Sequence, residues 1–146
     1  MHVIKRADEQ SVEAVARLLR LVLRTSLPFL PQLHTPDEDV WFVRNVMFAQ
    51  CEVWVAGANR VDGFIAFRDG WIDHLYVRPG QQRQGIGKAL LGRATKAHAS
   101  LRLWTFQKNT AAIGFYLAHG FCEIERTDGS RNEEREPDIL FGWERA

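Results

Sequence analysis

Trp71-Ile72-Asp73-His74-Leu75-Tyr76-Val77-Arg78-Pro79-Gly80-Gln81-Gln82-Arg83-Gln84-Gly85-Ile86-Gly87-Lys88-Ala89-Leu90-Leu91 is the most informative stretch of this 146-residue chain. Its first part, Trp71 to Val77, has strand character and is closed by Pro79-Gly80. A helical pattern begins near Gly85 and runs to about His98. Gly85 and Gly87 lie where the two meet. Without side chains they let the backbone approach a ligand, and the helix they open directs free N–H groups and its dipole at whatever sits there. An anion such as a pyrophosphate is the natural guest. From Arg78 to Lys108 the chain carries Arg78, Arg83, Lys88, Arg93, Lys96, Arg102 and Lys108 with no Asp or Glu, a local +7 inside a net +1. Two other phosphate motifs fail. The third glycine of a dinucleotide fingerprint is here Leu90, and the P-loop ending Gly-Lys-Ser/Thr is here Gly87-Lys88-Ala89.

On either side of this stretch, apolar periodicity alternates between about 2 and 3.6. His2 to Arg6 reads as a short strand. Val12, Val15, Ala16, Leu19, Val22 and Leu23 form one stripe of an amphipathic helix that ends before Pro28 and Pro31. Thr35-Pro36-Asp37-Glu38 has the hydroxyl, proline and carboxylate of a helix start, and predicts a second helix from about Asp37 to Phe48. Cys51 to Ala56 and Val61 to Phe67 read as a hairpin about Gly57-Ala58-Asn59-Arg60. After the central helix come a strand from Leu101 to Phe106, a short helix from Thr110 to His119 closed by Gly120, and strands at about Phe121 to Arg126 and Ile139 to Trp143. The order is β-α-α-β-β-β-α-β-α-β-β, without repeat or long linker, which predicts one mixed α/β domain over residues 1–146.

Composition narrows the function classes. Lys plus Arg number 19 and Asp plus Glu 18, so no global basic excess points to nucleic acid. Hydrophobic residues make up 46% and charged residues 25%, the balance of a folded globular domain. No apolar stretch approaches a membrane span and the N-terminus is charged, so a cytoplasmic chain without a membrane partner is expected. Cys51 and Cys122 lie in strand-like runs and are expected as reduced core thiols. No Cys/His cluster has metal-ligand spacing, so no metal is expected.

Gln82-Arg83-Gln84-Gly85-Ile86-Gly87, after a strand and a Val-x-Pro step, resembles the acetyl-CoA signature Gln/Arg-x-x-Gly-x-Gly/Ala of the GNAT family of N-acetyltransferases. Asn109-Thr110-Ala111-Ala112-Ile113-Gly114-Phe115-Tyr116, followed by Gly120-Phe121, resembles the family's second run from Asn to Phe-Tyr to Gly-Phe. The element order is similar over essentially the whole chain. The resemblance implies a mostly antiparallel central sheet flanked by helices, with a splayed central strand pair. It implies transfer of acetyl from acetyl-CoA to a primary amine of a small molecule or peptide, by direct attack in a ternary complex. A non-catalytic acetyl-CoA sensor is the alternative. Oligomeric state stays open between a monomer and a homodimer paired through terminal strands.

Carried over residue by residue, the resemblance places the cofactor diphosphate on the loop formed by Gln82, Arg83, Gln84, Gly85, Ile86, Gly87 and Lys88. It places the pantetheine arm along the main chain of Leu75, Tyr76 and Val77, like an added strand. Asn109 matches a position that bonds the pantetheine, although an Asn before a helix also serves as its N-cap. Tyr116 matches the phenol that protonates the departing thiolate, although it could equally be core. An ammonium must lose a proton before it attacks. Asp73 and His74 are the candidates for that base, with Glu52 or a water relay behind them; strand alternation would put Asp73 and His74 on opposite faces. The acceptor is expected between Arg24–Thr35 and the acidic segment Thr127–Pro137. Phe29, Leu30, Leu33 and Trp41 are available as an apolar wall, with core packing the ordinary role for Trp41.

Overall fold

The computed structural model describes residues 2–146. The elements are β1 (Ile4–Arg6), α1 (Val12–Thr25), α2 (Pro36–Phe42), α3 (Phe48–Gln50), β2 (Glu52–Ala56), β3 (Gly63–Arg68), β4 (Trp71–Val77), α4 (Ile86–Ala97), β5 (Ser100–Phe106), α5 (Thr110–Ala118), β6 (Cys122–Thr127) and β7 (Asp138–Glu144). The expected second helix is present with a defect: a π-helical turn, Val43–Met47, joins α2 to α3. Its start follows the local chemistry. Thr35 Oγ1 accepts from the Glu38 N–H at 3.2 Å while Glu38 Oε1 accepts from the Thr35 N–H at 2.9 Å, and Pro36 fills the first helical position.

The strands form one sheet in the order β1-β2-β3-β4-β5-β7-β6. Every neighbouring pair is antiparallel except β4 and β5. Two apolar clusters lie on its faces. Val12, Val15, Leu18, Leu19 and Val22 of α1, with Val43 and Met47, cover Val53, Val55, Phe64 and Ala66. On the other face, Ile86, Leu90, Leu91 and Ala94 of α4 pack with Ile65, Phe67, Ile72, Leu101, Leu103, Ile139 and Phe141, with Tyr116 of α5 in the same cluster. Full burial of one such side chain stabilises by about 1.5–3 kcal/mol, and this second cluster spans both halves of the sheet.

The parallel pair barely holds. Trp71 opposite Arg102 is its single register pair, supported by the Arg102 N–H donating to the Gly70 carbonyl at 2.8 Å. Beyond that rung the strands diverge, so the side of β4 turned away from β3 has no strand partner. β4 also carries an extra residue: Ala66 pairs with His74 and Phe67 with Ile72, leaving Asp73 as a bulge. The bulge overturns the expected alternation. Ile72 packs in the α4 cluster, whereas His74 lies against Phe42 and Phe64, and Asp73 meets Cys51 of the α1 side. Asp73 and His74 therefore share a face.

Two further expectations are corrected. Cys122 is exposed because β6 is an edge strand, and only Cys51 is partly buried. Trp41 is 61% exposed and is not core. No helix among the described residues is long and apolar enough to cross a membrane.

Candidate active site

The loop between β4 and α4 bends through three left-handed residues, Gly80 (φ +89°), Arg83 (φ +65°) and Gly85 (φ +84°). Gly85 is the N-cap of α4 and offers no side-chain cap, so the first N–H groups of the helix stay open to a ligand. Gln82 braces the turn, accepting from the Gly80 N–H at 3.1 Å and donating to the Val77 carbonyl at 3.4 Å. His2 Nε2 bonds to the Gln84 carbonyl, so the segment ahead of β1 steadies the same loop. Ile86 anchors the helix start in the core. Gly87 lies against α5: a Cβ there would stand 3.2 Å from the Phe115 ring.

Only part of the +7 stretch serves this loop. Arg78 donates to the Val61 carbonyl at 2.7 Å and faces Asp62, Arg93 lies over the Trp54 ring at 4.3 Å, and Lys108 pairs with Glu136 at 2.8 Å. Arg83 and Lys88 are exposed in the loop and first turn, and Lys88 lines a shallow cleft of about 420 Å³ with Gly85, Arg93 and Lys96.

Leu75, Tyr76 and Val77 form the unpaired edge of β4, beside the splay. Asn109 caps α5, its Oδ1 accepting from the Ala112 N–H at 3.2 Å, so the capping role is realised and the side-chain NH₂ keeps its donors. Tyr116, on the same helix, is 6% exposed; the rings of Phe115 and Phe121 each lie 5.3 Å away. Burial first, and the neighbouring Tyr76 phenol second, push its pKa above the ordinary tyrosine value, so the hydroxyl keeps its proton at neutral pH.

Asp73 and His74 differ sharply in surroundings. Asp73 Oδ2 accepts from Arg68 Nε at 2.7 Å and from the Cys51 thiol at 3.4 Å. Burial, with that carboxylate nearby, pushes the Cys51 pKa up to about 12, so it is a thiol. His74 is boxed by Phe42, Phe64 and Tyr76 at 5.8, 6.4 and 6.1 Å, and its Nδ1 is buried without a partner. Desolvation lowers its pKa to about 4 against a weaker opposing pull from Asp73, so the ring is neutral at pH 7. Glu52 is committed to the indole N–H of Trp54 at 2.7 Å.

Two clefts lie where the acceptor is expected. One, of about 280 Å³, is formed where the α1–α2 loop meets the β6–β7 loop, with Leu30, Leu33, His34, Glu133 and Glu134 in its wall. His34 Nε2 and Glu133 Oε1, 2.8 Å apart, tie the two loops together. The other, of about 670 Å³, has Trp104 and Phe106 of β5 and Glu125 of β6 in its lining. Phe29 closes the gap between loop and sheet with an edge contact to Phe106 at 6.1 Å. Trp104, on the strand predicted from Leu101 to Phe106, is 45% exposed and was not among the residues that the sequence singled out. The signal was there in the alternation of Leu101, Leu103 and Thr105 inward with Arg102 and Trp104 outward.

Residues 49–123 match the family profile described as Acetyltransferase (GNAT) domain. YiaC, a peptidyl-lysine N-acetyltransferase of Escherichia coli, is 31% identical over 142 residues, which is 96% of this chain and 95% of that protein. The chain belongs to the GNAT acetyltransferase family. It is an acetyl-CoA-dependent N-acetyltransferase. Another GNAT relative, the peptidyl-lysine N-acetyltransferase YjaB of Salmonella typhimurium, is 29% identical over 119 residues, 82% of this chain and 74% of that protein. The solution structure of apo YjaB from Escherichia coli superposes with a TM-score of 0.80 at 21% identity, covering 100% of this chain and 99% of that one. A PaiA N-acetyltransferase from Thermoplasma acidophilum, solved in complex with coenzyme A, gives 0.74 at 19% identity over 99% of both chains. At these identities the structural likeness is one of fold.

Proposed function

We propose that this GNAT enzyme acetylates the ε-amino group of lysine in peptides or proteins, by direct attack in a ternary complex. The observation that carries the reading is the unpaired edge of β4, which has the open helix start at one end and the protonated Tyr116 phenol across the splay. Two relatives named peptidyl-lysine N-acetyltransferases support the choice of acceptor. Acetyl-CoA supplies an activated acetyl thioester when bound. The main-chain groups of Leu75, Tyr76 and Val77 hold its extended arm as a strand would, and the loop from Gln82 to Lys88 holds its phosphates through backbone N–H groups and the charges of Arg83 and Lys88. The free amide donors of Asn109 add a contact from α5.

Tyr116 is the acid: its raised pKa keeps a proton on the hydroxyl until a thiolate needs it. Asp73 takes the proton released by the amine, through water. Of the two bulge residues it is the exposed one, and Arg68 orients it, whereas the enclosed ring of His74 serves packing. The test is thiol release from acetyl-CoA over a panel of lysine peptides, free amino acids and small amines, with Tyr116→Phe beside the wild type. Turnover on lysine peptides that falls by about 10²–10⁴-fold in Tyr116→Phe, with acetyl-CoA binding retained, supports the reading. Turnover confined to small amines would refute the acceptor, and an unchanged Tyr116→Phe would refute the acid.

A further inference from the structure

We propose that Glu134 receives the ammonium group of the acceptor, and that the flanking peptide lies in the larger cleft over Trp104, which favours cationic residues beside the lysine. The inference rests on the peptidyl-lysine reading above and assigns the specificity of that site. Its basis is position and availability rather than the number of acids in the loop.

Glu134 is the one residue common to the linings of the two acceptor-side clefts, so anything that occupies both must pass it. It is also uncommitted. Glu133 is held by His34, Glu136 by Lys108, Asp128 by the Ser130 N–H and Asp138 by Thr127. Glu134 takes part in no ion pair or side-chain hydrogen bond among the described residues. Glu134 is half-buried with its carboxylate uncommitted, and a cation supplied by the substrate is the partner it can take.

The larger cleft explains the flank. Trp104 presents an exposed indole on its floor, and Glu125 rises from the neighbouring β6 in the same lining. An arginine or lysine next to the acetylated lysine finds a ring face and a carboxylate together. Against the single cation of that lining, Arg131, stand Glu125, Asp128, Glu134 and Asp138, so an acidic neighbour meets net repulsion.

The experiment uses the full chain and single-lysine peptides flanked by Arg, Ala or Glu, with thiol release as the readout. The wild type is expected to prefer the Arg-flanked over the Glu-flanked peptide by about tenfold in kcat/KM. Glu134→Gln is expected to lower kcat/KM by about tenfold or more on every lysine peptide, through acceptor KM, with acetyl-CoA KM unchanged and partial recovery in Glu134→Asp. Trp104→Ala is expected to erase the flank preference, and thermal melts of each variant confirm that it is folded. Equal kcat/KM in wild type and Glu134→Gln overturns the ammonium role. Equal use of Arg- and Glu-flanked peptides overturns the role of the cleft. If only a small amine is acetylated, the peptidyl-lysine reading has failed separately, and Glu134→Gln measured on that amine still decides the role of the carboxylate.

Discussion

Gly129→Ala is expected to damage acceptor use selectively, with a measurable cost in stability. Gly129 is buried in the β6–β7 loop at φ +81°, and a Cβ there would lie 2.4, 2.5 and 2.7 Å from the carbonyl carbon, oxygen and nitrogen of Glu136. All three are backbone atoms, so no side-chain rotation relieves the overlap. The left-handed conformation costs an alanine about 1–2 kcal/mol. Moving the opposing strand of the loop also strains the bonds that pin it, from Asn132 Nδ2 to the Glu136 carbonyl at 2.7 Å and from the Glu136 N–H to Asn132 Oδ1 at 3.1 Å. Each is worth about 0.5–1.5 kcal/mol net, so the whole cost is about 3 kcal/mol. With an unfolding entropy of about 2 cal/mol/K per residue, Tm falls by about 10 °C. The same shift moves Glu133 and Glu134, so kcat/KM for the acceptor falls while acetyl-CoA KM, set across the splay, stays put. Calorimetry and steady-state kinetics on both substrates check this. A Tm within about 2 °C of wild type, or a rise in acetyl-CoA KM equal to that for the acceptor, would refute the reasoning.

Three other outcomes are expected. His74 titrates near 4 in the folded chain and near its ordinary 6.5 unfolded, so the unfolded state binds the extra proton first; stability is full above about pH 6.5 and declines as pH falls toward 4, by up to a few kcal/mol. His74→Phe, which also removes the partnerless Nδ1, flattens a plot of Tm against pH across that window. Gly85→Ala places a side chain at φ +84° and costs about 1–2 kcal/mol, with a raised Kd for acetyl-CoA by calorimetry because the open helix start is disturbed. Arg20→Ala removes bonds to Asp39 at 2.7 Å and to the His34 carbonyl at 2.8 Å; it loosens the α1–α2 loop, and acceptor KM rises in the thiol-release assay.

The element order and the glycine turn that opens α4 were legible in the sequence because they rest on local rules. The Thr35 capping box, the Gly85 start of α4 and the apolar stripe of α1 each follow from neighbours within a few residues. The face shared by Asp73 and His74 was not legible, since a bulge is set by pairing with β3 and nothing in Asp73-His74 marks it. Trp41 and Cys122 were misplaced for a related reason: apolar character shows that a residue can be buried, while the edge position of β6 and the outward side of α2 are decided elsewhere in the chain. The charge of the Arg78 to Lys108 stretch was read correctly as a sum, yet Arg78, Arg93 and Lys108 are engaged by partners distant in sequence. In the same way, the acidic loop was visible as composition, but which of its carboxylates is uncommitted emerges only from the folded contacts.

The single rung between Trp71 and Arg102 leaves an unpaired strand edge inside the sheet. An unpaired strand edge invites the strands of other proteins, and chains commonly defend such edges with lysines, prolines or short lengths. Leu75, Tyr76 and Val77 have none of these defences. β4 is an interior strand of the sheet, so this open edge faces the gap beside β5 rather than the outside of the sheet. A strand from another chain would have to enter between β4 and β5, which the Trp71–Arg102 rung joins. The open edge is thus an internal one, where an added strand would compete with β5 instead of extending the sheet.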